Sequence, residues 1–217
     1  FISSFYKSQN IILDNYYVAS KKINEVIKKN DSILCNNIIP VGLYRADKII
    51  NKNNKNNKNN KKLIIALGYQ TEKTFFESQV NIITSWKSSA LFLQDIYKLS
   101  NEIKNCRIII RLKNYEEYKN LFFKIILKKI IKKNNIKIDF SSKPEYSYKI
   151  CSKADLIIAR HTSLADECIS KDIPTLFHDY THNMNGILHA AFNYDNMSLI
   201  CRDYTELLKK TKDMLDL

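Results

Sequence analysis

Residues 154–179 read ADLIIARHTSLADECISKDIPTLFHD, and the fold class follows from this stretch. Leu156–Ala159 is apolar at every position and of strand length, as a parallel strand covered by helices on both sides must be. Thr162 and Ser163 follow as cap residues. They open a helix over Leu164–Ser170, and Thr175–Phe177 is a second strand. A strand, a crossover helix and a second strand make a βαβ unit with parallel strands.

Outward from this unit the same alternation continues. Strands are expected at Tyr16–Ala19, Ile38–Val41, Leu63–Leu67, Arg107–Leu112, Ile136–Phe140 and Ser198–Cys201. Helices are expected at Lys21–Lys29, Ser85–Lys104, Tyr115–Lys133, Tyr146–Ser152, around Gly186–Phe192 and at Tyr204–Leu215. The pattern predicts an α/β fold, a Rossmann-like open parallel sheet with helices on both faces. Within 115–133, Tyr115, Tyr118, Phe122, Ile125 and Ile126 recur at three- and four-residue spacing and are expected to face the sheet. Lys124, Lys128, Lys129, Lys132 and Lys133 fall on the other side or in the last turn, where cations favour a helix end. These lysines read first as a solvated face. The sharper reading is a peripheral contact with an anionic membrane, each Lys near the lipid contributing about 1 kcal/mol.

The chain has 217 residues, 45% of them hydrophobic, which excludes a wholly disordered protein. Lys and Arg number 35 against 22 Asp and Glu, a net charge of +13. Five of those charges belong to residues 51–62, NKNNKNNKNNKK, a solvated loop with nothing apolar to bury. The aromatics fall mostly at core-facing spacing rather than exposed among the basic residues, so no nucleic-acid partner is expected. A non-catalytic basic nucleic-acid module ranks last among the functions considered. The five cysteines form no C-x-x-C pair, against a disulfide framework or zinc site and in keeping with a reducing, cytoplasmic location. No run of about 18 apolar residues occurs that would cross a membrane.

In open α/β sheets ligands bind outside the carboxyl ends of the strands. The strand over 156–159 ends in Arg160 and His161, and Thr162 and Ser163 then open a helix. Unpaired N–H groups, the positive helix end and two hydroxyls suit a phosphate. Glu167 lies one turn beyond Ser163 on the same helix face, placed to accept hydrogen bonds from a ribose. A capping box closed by Asp166 or Glu167 is an equally weighted alternative. The next strand ends in His178 and Asp179, better suited to hydrogen-bond a sugar or phosphate than to a metal, because His178, Asp179 and His182 lack a zinc spacing. After Leu67 come Gly68, where a ligand could approach the backbone, and Thr71. No G-x-G-x-x-G, P-loop or G-x-S-x-G motif is present, which argues against a dinucleotide site, an ATPase or an α/β-hydrolase.

Three stretches resemble the C-terminal half of GT-B glycosyltransferases of surface and capsule polysaccharide synthesis, including the CDP-glycerol glycerophosphotransferase-like group. Residues 38–47, IIPVGLYRAD, are similar to its linker motif, with Gly42, Arg45 and Asp47 matching and Tyr44 in place of a proline. Residues 63–71, LIIALGYQT, resemble its first C-domain strand and loop, and residues 154–179 its donor-binding signature. Many relatives carry a His-Pro pair where this chain reads Lys113-Asn114. The resemblance implies that residues 1–37 are the end of an N-terminal acceptor domain whose remainder is missing, that 38–62 are the interdomain linker and Lys/Asn loop, and that 63–217 bind the donor. It implies transfer of a sugar or phosphoalcohol from a nucleotide-sugar or CDP-alcohol donor to a polysaccharide or lipid-linked acceptor, at the inner face of the membrane. A UDP-GlcNAc 2-epimerase is the alternative of the same fold. Thr162, Ser163, Glu167, Gly68, Thr71, His178 and Asp179 would contact the donor, and Arg45 and His161 would act in catalysis. No metal or cofactor is implied.

Overall fold

The computed structural model describes residues 11–19, 21–28, 33–50, 61–68, 85–112, 121–140, 144–160, 162–180 and 198–217. Their elements run β1 (Ile11–Val18), α1 (Lys21–Lys28), β2 (Ile33–Pro40), a 3-10 turn (Tyr44–Lys48), β3 (Lys62–Leu67), α2 (Trp86–Glu102), β4 (Cys106–Arg111) and α3 (Leu121–Ile131). They continue with β5 (Ile136–Asp139), α4 (Pro144–Cys151), β6 (Leu156–Ala159), α5 (Ser163–Ile169), β7 (Thr175–His178), β8 (Ile200–Cys201) and α6 (Tyr204–Leu215). Strands β1 and β2 pair in parallel as a sheet of their own, with Tyr16 opposite Ile38. The other six form one parallel sheet in the order β5-β4-β3-β6-β7-β8.

The two-residue period of a strand sorts the core into two layers. Ile64, Ala66, Ile108, Ile110, Leu156, Ile158 and Leu176 pack on one face with α2, α3 and α6. Ile65, Leu67, Ile157, Ala159 and Phe177 pack on the other with α4 and α5. Both faces are buried, so these strands read as continuous apolar runs. From β3 the chain steps outward through β4 to β5, returns across the sheet, and steps the other way through β6 to β7. Crossovers of one hand running in opposite directions deliver their helices to opposite faces. The strand order therefore reverses between β3 and β6.

Local signals set the helix ends. Ser85 accepts from Ser88 N at 3.1 Å at the start of α2, and Asp203 accepts from Glu206 N at 2.8 Å at the start of α6. The bounds of β6 and α6 coincide with those expected. The last strand is shorter than expected, Ile200–Cys201, because Ser198 takes a left-handed backbone with φ of 53°. Cys106, Cys151, Cys168 and Cys201 are buried thiols, and Cys35, also unpaired, is half-buried. Among the described residues no helix is long and apolar enough to cross a membrane. Tyr115, Tyr118 and the stretch around Gly186–Phe192 lie outside the described residues.

The expected face of α3 needs correction. Ile125 is 68% exposed, whereas Phe123, Leu127 and Ile130 are buried and Ile126 packs beside them. Two apolar phases overlap in LFFKIILKKII. The phase through Ile125 continues into Lys129, which would carry a charge into the core. The phase through Phe123 continues into Ile130 and carries none, so packing selects it. Leu127→Ala is therefore expected to cost about 2–5 kcal/mol in urea unfolding. Ile125→Ala should stay within about 0.5 kcal/mol of the parent.

Candidate functional site

The reversal of strand order brings the carboxyl ends of β3 and β6 side by side. Arg160 N donates to Leu67 O and Gly68 N to Arg111 O, both at 3.0 Å. A Cβ on Gly68 would lie 3.1 Å from Leu112 Cδ2, so the glycine admits close side-chain packing at this edge. A narrow, largely apolar cleft opens here between α2 and α3, with Ser89 and Arg160 as the polar members of its lining. Arg160 and His178 point to the α2 side of the sheet, and Glu167 to the α4 side.

On the α2 side the organising group is Asp95, 2% exposed. Its carboxylate accepts from Tyr180 Oη at 2.6 Å, pairs with His178 Nε2 at 3.1 Å and takes Lys98 Nζ at 3.2 Å. The His178 ring stacks on Tyr180, with centroids 3.9 Å apart, and meets the edge of Phe92 at 5.3 Å. Buried Arg160 donates to Ser89 Oγ. Burial alone would raise the Asp95 carboxyl, but its donors outweigh it and hold the group below the ordinary carboxylate range. Burial takes His178 below the usual imidazole range and Arg160 adds to this, while Asp95 opposes both. With His178 neutral and Asp95 ionised, Nε2 carries the hydrogen. Asp179, at the end of β7, is also buried, and its N–H donates to Cys201 O at 3.0 Å. Sequence reasoning missed Asp95. Its signal was an acid three residues after Phe92, on the face of α2 that packs against the sheet.

On the α4 side Glu167 is 3% exposed. Its Oε2 has no hydrogen-bond partner among the described residues. Burial pushes the carboxyl above its ordinary value, and a hydrogen bond from Tyr148 with the charges of Arg45 and Lys48 restrains the rise. Both cations come from the 3-10 turn, which follows Gly42 in a left-handed conformation (φ 79°). That turn is held against α5 by Lys171 Nζ on Asp47 Oδ1 at 2.9 Å, and Ile49 behind it is part of the core. Arg45 is exposed, its Nε donating to Tyr44 Oη at 3.1 Å, and Lys48 Nζ lies 5.8 Å from the Tyr148 ring centre. Thr162 caps α5 through its backbone, without a capping hydrogen bond from its side chain, and Ser163 is exposed. Thr162 therefore closes no capping box.

Of the residues singled out in the sequence, the fold thus brings Arg45 and Glu167 together across a long stretch of chain. It sets Thr162 and Ser163 at the start of the helix bearing Glu167, Gly68 at the adjoining strand end, and His178 beyond the sheet on Asp95. His161 and Thr71 lie outside the described residues.

No family model and no curated protein matches the sequence. Solved structures do. A Listeria monocytogenes protein assigned as a UDP-N-acetylglucosamine 2-epimerase aligns over 94% of this chain and 51% of its own, with a TM-score of 0.60 and 14% identity. The wall teichoic acid polymerase TagF aligns over 99% and 51%, with a TM-score of 0.56 and 15% identity. A variant of TagF soaked with CDPG aligns over 99% and 50%, with a TM-score of 0.54 and 15% identity. The chain spans about half the length of each. At these identities the likeness establishes the fold, a Rossmann-like parallel sheet of the GT-B kind.

The low affinity of His178 for a proton has a consequence for stability. Below about pH 6.5 the unfolded chain takes up a proton on this side chain that the native state refuses, so stability is lost as the pH falls. The advantage of the parent chain over His178→Gln should therefore narrow as denaturant midpoints are followed from about pH 7 to about pH 5.5. Glu167 titrates in both proteins, so its opposite contribution cancels from the difference.

Proposed function

We propose that this chain carries the donor-binding half of a transferase that moves a sugar or phosphoalcohol from a nucleotide-activated donor to a cell-surface polysaccharide or its lipid-linked precursor. The observation that carries the reading is the buried Glu167 carboxylate, whose Oε2 has no partner among the described residues, with Arg45 nearby. A buried acceptor left without a donor costs about 1–3 kcal/mol. Such a group is retained where a ligand supplies the missing hydrogen bond, and a ribose hydroxyl meets that need. The N–H groups at the start of α5, with the hydroxyls of Thr162 and Ser163, then receive the phosphates. Arg45 and, by its place in the sequence, His161 would stabilise negative charge developing on the leaving nucleotide. Gly68, Thr71, His178 and Asp179 border the donor in this reading, with His178 held by Asp95. In this reading residues 63–217 form the donor domain, 38–62 the linker, and 1–37 belong to an acceptor domain. Buried free thiols suit a reducing cytoplasm. The likeness in fold to an epimerase supports a second reading, a UDP-GlcNAc 2-epimerase-like enzyme. Release of UDP from UDP-GlcNAc without an acceptor would favour it.

Calorimetric titration with CDP, CMP, UDP and GDP tests the site. At least one should bind with a Kd of about 1 mM or tighter. Ser163→Ala and Glu167→Gln should each weaken that binding about tenfold or more. Glu167→Gln should at the same time leave the melting temperature at neutral pH unchanged or raised, because it removes a buried charge. Absence of binding by all four, or unchanged affinity in both variants, would remove the assignment.

A further inference from the structure

The outer face of α3 presents Lys124, Ile125, Lys128, Lys129, Ile131 and the adjoining Lys132 to solvent. The segment from 121 to 132 contains no acidic residue. Ile125 and Ile131 are 68% and 51% exposed, although the same helix buries Phe123, Leu127 and Ile130 against the sheet. Single exposed aliphatics are ordinary on protein surfaces. Here two of them share one helix face with four cations and no anion. We propose that this face is a docking surface for an anionic lipid membrane, with the lysines over the headgroups and the two isoleucines in the boundary below them.

The chemistry of the face selects this occupant. Interfacial helices combine a Lys-rich face with aliphatic side chains that enter the lipid boundary. Single-stranded nucleic acid is held by stacking aromatics together with cations, and the described side chains of this face include neither an aromatic nor an arginine. A second copy would set lysines against lysines, which is repulsive. Each lysine near an anionic surface improves partition roughly fivefold, and the attraction falls with salt because the charges are exposed. Contact through one face without a lipid anchor is reversible. The inference stands on α3 alone and does not depend on the nucleotide site.

Sedimentation of the chain with vesicles of phosphatidylcholine containing about one third phosphatidylglycerol tests it. Binding is expected at low salt, with release at about 0.5 M salt and no binding to pure phosphatidylcholine. Reversing the face (Lys124→Glu, Lys128→Glu, Lys129→Glu, Lys132→Glu) should lower partition by about a hundredfold or more. Reversing four exposed lysines elsewhere (Lys28→Glu, Lys149→Glu, Lys153→Glu, Lys209→Glu) should lower it far less. Ile125→Ser with Ile131→Ser should reduce binding roughly tenfold without altering net charge. All these positions are exposed, so the unfolding midpoint should hold and serves as the folding control. Equal losses in the two charge-reversed proteins would overturn the proposal, since binding would then follow net charge alone. Unchanged partition in the double serine variant would overturn it too, as would a face whose lysines matter only for retention on single-stranded RNA.

Discussion

Strands β3 and β6 lie hydrogen-bonded side by side while the chain leaves them toward opposite edges of the sheet. The helices that follow them, α2 and α5, therefore depart to opposite faces, and the carboxyl ends of these two strands are left without a helix crossing over both. Arg160, His178 and Glu167 are placed by that geometry. The two-residue strand period carries Arg160 and His178 to the α2 side, while α5 carries Glu167 to the α4 side. The crevice at a reversal of strand order is where open α/β sheets hold ligands, and each face of this sheet carries a buried carboxylate, Asp95 on one and Glu167 on the other.

Those carboxylates are in different states of satisfaction. Asp95 takes hydrogen bonds from three side chains and stays ionised despite its burial. It fixes the His178 ring and ties the end of β7 to α2, as a fully connected polar network does. Glu167 is as deeply buried, yet one of its oxygens has no partner among the described residues, and cations borne on the turn between the two sheets only partly offset the effect of burial. A network complete in itself serves the fold. One that lacks a donor is open to a ligand, and folded proteins accept such costs mainly at functional sites.

Much of the scaffold was legible from residue type and period. LIIA over 156–159 is apolar throughout because both of its faces are covered, and α6 spans Tyr204–Leu215 as its pattern places it. The candidate phosphate and ribose groups could be named because strand ends and helix starts leave local signatures. The failures have tertiary causes. Ile125 belongs to an apolar phase as regular as the one through Phe123, and only the fate of Lys129 separates them. Asp95 is a single acid in an apolar helix, and its meaning depends on His178 and Tyr180, far along the chain. The approach of Arg45 to Glu167 likewise follows from the docking of the 3-10 turn on α5, which no local pattern announces.

The proposed seat of the nucleotide is the β3–β6 reversal against the start of α5. Amide chemical-shift mapping by NMR, as a nucleoside diphosphate such as CDP or UDP is added, tests it most directly. The saturable shifts are expected to cluster at Gly68, Thr162, Ser163 and Glu167 and at Arg45 of the linker turn, with α3 unmoved. Shifts confined to the outer lysines of α3, or spread over the basic surface without saturation, would contradict it.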